Sequence, residues 1–343
     1  MNPIPATIGV GIVGAGFMGA THAAAYRSAS EAGCDVNLVA VCGSGAQRES
    51  LETSAEEATN LATGADREAL AKAHRHTSPA ALFADPNISA VSICTPTNTH
   101  VEVAIAALRA GKHVLLEKPV ALKAGAVREL AAVQRETERV CMVGMCMRFW
   151  PGWSELLAAA RGGRDGPLRS ARFHRRSQRP GWGRGFYTDP VRCGGALFDF
   201  HVHDADLVRQ LAGEPARVHT TGSLDEPRTR YGFSGDNAPD CVAEASWALG
   251  DDEPFQMAYE VEFERARWSW DLVEPEFIRR QSPAGEKRLA VDPETGYELE
   301  VRHFLRCLAA GRDPGCGLED AAGTVALLEA ERRSLELGRP LEL

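Results

Sequence analysis

A glycine-rich turn between the first apolar segment and the first helix-forming segment restricts the fold more than any other feature of this sequence. Residues 8–13 are apolar or glycine without polar alternation, which is typical of a strand buried on both faces of a parallel sheet. Residues 17–29 are rich in alanine, with larger side chains at helical spacing. The chain therefore begins with a strand, a tight turn and a helix.

Three glycines occupy this junction in the order G-x-G-x-x-G. Gly14 permits a tight turn, Gly16 permits a pyrophosphate to approach the backbone, and Gly19 permits the helix to pack closely on the strand. The anion then lies at the helix N-terminus, beside Phe17 and Met18, where N–H groups and the helix dipole favour negative charge. The motif predicts a dinucleotide-binding site. A tight turn without a ligand is the alternative.

Strands and helices alternate through the rest of the N-terminal part. Because right-handed crossovers join parallel strands, this order predicts an α/β fold with a doubly wound parallel sheet. The segment from Ala46 to His76 is long for one crossover, and we expect two helices in it. Further strands are expected at 38–42, 73–77, 88–94 and 113–117, and helices at 46–61, near Ser78 and at 101–110.

The pattern changes after Gly144. Apolar residues between Arg217 and Val301 occur in short alternating runs separated by turn residues, which predicts a mostly antiparallel sheet. Helical periodicity returns at 299–310 and 318–337, and these helices cover part of one domain or connect the two. We therefore expect a dinucleotide-binding domain with a doubly wound parallel sheet at 1–145 and a second domain with a mostly antiparallel sheet at 146–343.

Composition excludes several classes of protein. A chain of 343 residues that is 44% hydrophobic and 25% charged is typical of a two-domain globular protein. Its formal net charge of -9 argues against a nucleic-acid partner. The nine cysteines show no paired ligand spacing, and the N-terminus has neither a signal peptide nor a membrane span, so a cytoplasmic location is expected.

The end of the second strand bears on the choice of dinucleotide. The usual acidic residue for the ribose hydroxyls is missing there, since the strand ends in Cys42-Gly43-Ser44. Ser44 and Arg48 are able to donate hydrogen bonds to a 2′-phosphate, which favours NADP over NAD. A solvated Arg48 without a ligand is the alternative.

Polar residues follow two other predicted strands. One strand ends in Thr95-Pro96-Thr97-Asn98-Thr99-His100 and the next in Glu117-Lys118-Pro119. Ligands in open α/β sheets bind beyond the carboxyl ends of the strands, so both groups are expected to face the crevice of the glycines. Lys118 is a candidate proton donor or acceptor, because a nearby cation or nicotinamide ring makes an ammonium group release its proton more readily. A surface lysine in a turn is the alternative.

Residues 193–206 form the densest polar cluster of the chain, CGGALFDFHVHDAD. If this segment opens a helix, Asp199 and His203 lie four residues apart on one face, and Asp206 follows three residues later. An imidazole exchanges protons near neutral pH, and a carboxylate orients it or the substrate. In the structural alternative, Asp199 caps the helix and His203 is a core residue.

Two other functions use parts of these motifs. The sequence His201-x-His203-Asp204 is similar to the paired histidines of metal-dependent hydrolases, but such a site needs further ligands and leaves the glycines unexplained. A protein that senses the dinucleotide without catalysis would keep the glycines, but it would not need Lys118 and His203 together.

The ordered set GIVGAGFMG, CTPTNTH, EKP, RFWP and GGALFDFHVHDAD resembles the Gfo/Idh/MocA family, the glucose-fructose oxidoreductase and inositol dehydrogenase group. The resemblance runs from Ile8 to about Leu335. It implies an N-terminal Rossmann domain and a C-terminal α+β domain with an open antiparallel sheet, through which a homodimer or homotetramer commonly forms. It also implies an NAD(P)-dependent dehydrogenase that acts on a secondary alcohol of a sugar, cyclitol or related polyol, or on the ketone in reverse.

The resemblance also implies residue roles. Lys118 matches a catalytic lysine that precedes a cis peptide bond to Pro119, and Asp199 and His203 match a D-x-x-x-H pair in which His203 is the general base. Arg148 matches a position on the substrate side of the cleft. Residues that contact or flank the cofactor are expected to be Thr95, Pro96, Asn98, His100 and Glu117.

This chain departs from the family pattern in the long segment 46–76, which resembles an insertion near the adenosine pocket. His201 falls where small residues are frequent. Its ring either lies near the substrate or fills space beside the helix.

Overall fold

The computed structural model describes residues 7–43, 64–181, 183, 185–250 and 252–343, which form two compact units. The first unit contains the described residues up to Cys146 together with Thr295–Gly323. The second contains Met147–Glu294 and Thr324–Leu343. No helix among the described residues is both long and apolar enough to cross a membrane.

In its described residues, the first unit contains a six-stranded sheet in which every neighbouring pair is parallel. The spatial order is β3-β2-β1-β4-β5-β6, which is the doubly wound order and confirms the predicted fold. β1, β4, β5 and β6 are buried along their whole length, as expected for strands covered on both faces. The strands are β1 Ile8–Val13, β2 Val36–Cys42, β3 His74–His76, β4 Ala90–Ile93, β5 His113–Glu117 and β6 Cys141–Gly144.

The helices of this unit follow the predicted order. The helix expected at 46–61 lies outside the described residues, whereas the second helix of that segment is observed as α2, Arg67–Lys72. Ser78 caps α3 through its side chain, and Pro79 stands in its first turn. α6 is packed against α1. The helices are α1 Phe17–Glu31, α2 Arg67–Lys72, α3 Pro79–Phe83, α4 His100–Arg109, α5 Ala124–Thr137 and, from the C-terminal part, α6 Gly296–Ala310.

The second unit contains a nine-stranded sheet in the order β14-β13-β12-β11-β7-β10-β9-β8-β15. Among the strand pairs that the structure describes in this sheet, only β7 and β10 are parallel, so the prediction of a mostly antiparallel sheet is confirmed. Alternate residues of β9 are buried and exposed, which gives this strand one face toward the core. The strands are β7 Leu168–Arg176, β8 Arg217–Gly222, β9 Pro227–Gly232, β10 Asp240–Ser246, β11 Gln256–Phe263, β12 Arg267–Asp271, β13 Phe277–Ser282, β14 Gly285–Ala290 and β15 Leu341–Glu342.

The remaining helices are α7 Trp153–Gly162, α8 Pro190–Cys193, α9 Gly195–Asp199, α10 Val202–Ala212 and α11 Leu318–Leu337. The expectation of one helix through Asp199 and His203 is wrong, because α9 ends at Asp199 and α10 begins at Val202. The N–H groups of Phe200 and His201 both donate to the carbonyl of Ala196, at 2.9 and 2.8 Å. The regular helical pattern, in which each N–H group bonds to the carbonyl four residues earlier, is therefore interrupted there. Asp199 therefore lies at the end of α9, and His203 lies in the first turn of α10.

Candidate active site

The glycine turn is held by close contact with the end of β4. Gly14 has a φ of 106°, a conformation that L side chains rarely adopt, and a Cβ on it would overlap the carbonyl oxygen of Cys94. The same Cβ would lie 2.9 Å from the backbone nitrogen of Thr95. A Cβ on Gly19 would overlap the carbonyl oxygen of Gly14. The turn therefore requires glycine at both positions.

The first turn of α1 fits the phosphates of a dinucleotide. Gly16 is the N-cap, and within the described residues no side chain caps this helix of 15 residues. Its first turn contains no acidic residue. Gly16, Phe17 and Met18 are half-buried, so the positive end of the helix dipole is open to an anion.

His100 joins the two polar segments that follow β4 and β5. Its ring is buried, with Nε2 2.7 Å from the carbonyl oxygen of Thr95 and Nδ1 2.9 Å from that of Pro119. Burial lowers the pKa of this imidazole, although the two carbonyls favour its protonated form. The segments predicted to converge therefore do so within the first unit, and His100 is the residue that connects them.

The residues around His100 differ in exposure. Pro96 and Asn98 are exposed, whereas Thr95 is half-buried. The hydroxyl of Thr99 donates to the Thr95 hydroxyl at 2.8 Å and lies 2.7 Å from the carbonyl oxygen of Pro96. The loop that follows β4 is thus braced internally, with exposed groups on its surface.

Lys118 is half-buried at the end of β5, and its peptide bond to Pro119 is cis, as the family resemblance implies. The side chain of the preceding residue, Glu117, is buried. One of its oxygens accepts the backbone N–H of Lys118 at 3.1 Å, and the other lies 2.8 Å from Nε2 of His22. Glu117 therefore flanks the expected cofactor site and holds the backbone that carries Lys118.

The residues that lie behind Glu117 are not predicted from the sequence. Nδ1 of His22 lies 3.0 Å from the hydroxyl of Ser92, which lies 2.7 Å from the hydroxyl of Tyr26. Glu300, from α6, is fully buried nearby. A histidine within an alanine-rich helix is a detectable signal for such a network, but nothing near Glu300 in the sequence indicates that it is buried.

Arg148 and Asp206 form a buried ion pair in the second unit. Nε and Nη2 of Arg148 contact the two carboxylate oxygens at 2.7 and 2.5 Å, and Thr324 donates to the same carboxylate at 3.0 Å. The exposed fractions of the two side chains are 7% and 2%. The guanidinium that we expected on the substrate side is thus held by Asp206.

Two other members of the polar cluster also have partners within the second unit. Both carboxylate oxygens of Asp204 accept hydrogen bonds from buried Arg175, at 3.2 and 2.9 Å. Nε2 of His201 lies 2.9 Å from a carboxylate oxygen of Glu331 and 3.0 Å from the hydroxyl of Tyr231. Although burial disfavours the charged ring, the charge and hydrogen bond of Glu331 raise the pKa of His201. His201 is therefore an interior residue.

These contacts bear on the metal alternative. In the part of the chain that the structure describes, only one group of three His, Cys, Asp or Glu ligand atoms lies within 4.8 Å of one another, and it consists of His22, Glu117 and Glu300. His201 and Asp204 instead contact Glu331 and Arg175. The motif that suggested a hydrolase is therefore engaged in the packing of the second unit.

The expected catalytic residues are divided between the two units. Lys118 belongs to the first unit, and Arg148, Asp199 and His203 belong to the second. Asp199 is half-buried at the end of α9, and it is not the N-cap of α10, a position occupied by His201. His203 has an exposed fraction of 7%. Ser44 and Arg48, proposed for the 2′-phosphate, lie outside the described residues.

Sequence models of both domains of one family match this chain. The model described as an oxidoreductase family with an NAD-binding Rossmann fold matches residues 8–145, and the Gfo/Idh/MocA C-terminal domain matches residues 153–262. The chain belongs to the Gfo/Idh/MocA family. The resemblance found in the sequence is therefore confirmed, and the protein is an oxidoreductase.

Members of this family with known activities cover most of the chain. The myo-inositol 2-dehydrogenase of Thermotoga maritima is 29% identical over 282 residues, which are 77% of this chain and 83% of that protein. The scyllo-inositol 2-dehydrogenase (NAD(+)) of Bacillus subtilis is 25% identical over 290 residues, with coverages of 77% and 80%. The structure of levoglucosan dehydrogenase with NADH and levoglucosan has a TM-score of 0.82 at 20% identity and covers 98% of this chain and 99% of that one. At this identity, the structural likeness shows the shared fold.

Proposed function

We propose that this protein is an NAD(P)-dependent dehydrogenase that oxidises a secondary alcohol of a sugar, cyclitol or related polyol, or reduces the ketone in reverse. The observation that carries the proposal is the continuous contact from the glycine turn to the backbone next to Lys118. Gly14 abuts the backbone of Cys94 and Thr95, and His100 connects Thr95 to Pro119. The proposed dinucleotide site and Lys118 thus share one edge of the first sheet.

The described residues suit the cofactor class. Gly14, Gly16 and the first turn of α1 would hold the pyrophosphate, and Thr95, Pro96 and Asn98 present groups along the neighbouring loop. When bound, the nicotinamide accepts or donates the hydride. The task of the chain is then to position the substrate and to move one proton.

We assign the proton transfer to His203, whose imidazole accepts the proton of the substrate hydroxyl during oxidation. The ammonium group of Lys118 stabilises the negative charge that develops on the substrate oxygen, and the carboxylate of Asp199 orients the substrate and His203. We assign Arg148, held by Asp206, to substrate binding. Relatives named as inositol dehydrogenases support a polyol as the substrate.

We further propose a preference for NADP. β2 ends at Cys42 and is followed by Gly43, and neither residue offers a carboxylate to the ribose hydroxyls or repels a 2′-phosphate. Asp35 precedes the opposite end of the strand. A charged hydrogen bond from Arg48 to the 2′-phosphate contributes about 1.5–3 kcal/mol. We therefore expect NADPH to bind roughly ten- to hundredfold more tightly than NADH. A titration of cofactor fluorescence that shows tighter binding of NADH contradicts this preference.

The nine-stranded sheet is proposed as the surface of a homodimer or homotetramer. Its exposed positions carry both signs of charge, as in the ion pairs of Arg228 with Glu244 and of Arg267 with Glu260. Such a surface permits complementary pairing between identical chains. Sedimentation velocity should show a dimer or tetramer, and a monomer at micromolar concentration contradicts the assignment.

Turnover with a panel of polyols tests the proposed activity. The purified protein is given NAD or NADP with myo-inositol, scyllo-inositol and a series of sugars, and formation of the reduced nicotinamide is followed by absorbance. We expect turnover with at least one polyol and no effect of a chelator. Cofactor binding without turnover would favour a sensor, and hydrolysis that a chelator abolishes would favour a metal enzyme.

A further inference from the structure

Two carboxyl groups and an imidazole lie together inside the first unit, behind the strand end that carries Lys118. Oxygen atoms of Glu117 and Glu300 and a ring nitrogen of His22 are all within 4.8 Å of one another. The exposed fractions of these residues are 5% for Glu117 and 0% for both Glu300 and His22. Water therefore does not screen the two carboxyl groups from each other.

The hydrogen bonds of this cluster converge on Glu117. Because an ionised Glu117 only accepts, Nε2–H of His22 donates to it at 2.8 Å. Nδ1 of His22 lies 3.0 Å from the hydroxyl of Ser92, which lies 2.7 Å from the hydroxyl of Tyr26. The backbone N–H of Lys118 donates to the second oxygen of Glu117. Both oxygens of Glu117 thus accept a hydrogen bond, which stabilises its ionised form.

Glu300 is in the opposite situation. Among the residues that the structure describes, neither of its buried carboxyl oxygens has a hydrogen-bond partner. A second carboxylate at this position would be a buried anion without a donor, beside the anion of Glu117. Two carboxyl groups this close in a buried site do not both ionise, and the one that has donors keeps the charge.

We propose that Glu300 holds a proton in the folded protein, so that His22, Glu117 and Glu300 form a buried site for one proton with a single negative charge beside Lys118. The O–H of Glu300 then donates a hydrogen bond to the Glu117 carboxylate, directly or through one water molecule. In agreement with this geometry, burial and the charge of Glu117 raise the pKa of Glu300, whereas His22 and Lys118 outweigh burial and lower the pKa of Glu117.

The basic groups that lower the pKa of Glu117 are His22, Lys118 and His100, in that order. Among the described residues, none of them is a hydrogen-bond partner of Glu300. The remaining titratable groups around Glu117 and Glu300 are neutral phenols and thiols, namely Tyr26 of α1, Cys94 after β4, Cys146 after β6 and Tyr297 of α6. Because these groups do not neutralise an anion at Glu300, a proton on its carboxyl group does so.

Infrared spectroscopy of the protein without ligand tests the proton directly. At pH 8 exposed carboxyl groups are ionised, so only a buried neutral acid retains the C=O stretching band of a protonated carboxyl group. We expect this band in the native protein, with the intensity of one carboxyl group, and its loss in Glu300→Gln. Glu129→Gln, on an exposed position of α5, is the matched control and should retain the band.

Three results would overturn the inference. They are the absence of the band from the native protein, its persistence in Glu300→Gln, and one bound metal ion per chain that is lost in Glu300→Gln when metal content is measured. Should Glu300→Gln fail to fold, native protein labelled with 13C in the glutamate carboxyl groups must show the band shifted by the isotope, and an unshifted band contradicts the assignment.

The significance of this site for Lys118 rests on the proposed function, because the single negative charge matters to catalysis only if Lys118 acts on the substrate. The infrared measurement requires no turnover. A missing band with normal polyol oxidation therefore contradicts only the proton site, whereas a normal band in an inactive protein contradicts only the proposed function.

Discussion

The backbone of Gly14 lies against the carbonyl group of Cys94 so closely that a Cβ on Gly14 would lie 2.6 Å from the carbonyl carbon. This contact joins the turn after β1 to the end of β4, and both segments border the proposed dinucleotide site. Any side chain at position 14 must therefore move one segment away from the other. The geometry of the cofactor site and the stability of the unit should change together.

Gly14→Ala should weaken cofactor binding by at least about tenfold and destabilise the fold by about 1–3 kcal/mol, because it combines an unfavourable φ with a collision. Gly33→Ala is the matched control, since Gly33 also has a positive φ, 84°, but a Cβ on it would meet nothing within 4 Å. Urea unfolding and fluorescence titration of both variants measure the two effects. Equal losses in the two variants would show that the contact with Cys94 is unimportant.

Lys118→Ala should lower turnover by roughly two or more orders of magnitude while cofactor affinity stays nearly unchanged, because the ammonium group acts on the substrate oxygen. Lys72→Ala removes an exposed lysine of the same unit and should leave turnover unchanged. Steady-state kinetics and cofactor titration distinguish the effects. Retained turnover in Lys118→Ala would remove this residue from the mechanism.

Removing one member of the Arg148–Asp206 pair should be more harmful than removing both. Asp206→Leu leaves a buried guanidinium without its carboxylate, and we expect a loss of about 3–5 kcal/mol in the free energy of unfolding. The double variant Arg148→Met with Asp206→Leu should recover much of this stability, because apolar side chains of similar volume replace buried ion pairs at little cost. Additive losses in urea unfolding would contradict a coupled pair.

Much of the fold could be predicted because burial shows in the sequence as composition. β1 and β5 have their predicted limits, since both are short apolar runs bounded by residues that end a strand. β2 begins two residues before its predicted start, whereas β4 is shorter than predicted by two residues at its start and one at its end. The register of β8–β14 could not be assigned, because alternation alone does not determine which strands pair.

The local structure of the polar cluster could not be predicted, because partners distant in sequence determine it. No proline or glycine lies between Ala196 and Asp206, so the helical spacing gave no sign of the break before Val202. Arg175 and Glu331 contact Asp204 and His201 from β7 and α11, and these contacts exist only in the folded chain. The same holds for Glu300, whose burial depends on the packing of α6 against α1.

The His201–Glu331 pair should make stability depend on pH. Because the folded chain raises the pKa of His201 above its ordinary value of 6.5, protonation of the ring stabilises the fold. This contribution is complete below about pH 6.5 and is lost as the pH rises through the folded pKa. The difference in unfolding free energy between the native protein and His201→Gln should therefore decrease from pH 6 to pH 9. A difference that is constant over this range would show that folding does not change the pKa of His201.

His113 should show the opposite dependence. Burial, aided by the charge of Arg139, lowers the pKa of His113 to about 4, and its Nδ1 accepts the backbone N–H of Val140 at 3.1 Å, which requires that nitrogen to be unprotonated. The unfolded chain binds a proton to His113 more readily, so the contribution of this residue is present above its ordinary value of 6.5 and is lost as the pH falls toward 4. The stability difference between the native protein and His113→Asn should therefore increase from pH 4 to pH 6.5 and stay constant above it. Urea unfolding across this range measures it, and a difference that grows on acidification would mean that the folded protein holds His113 in its charged form.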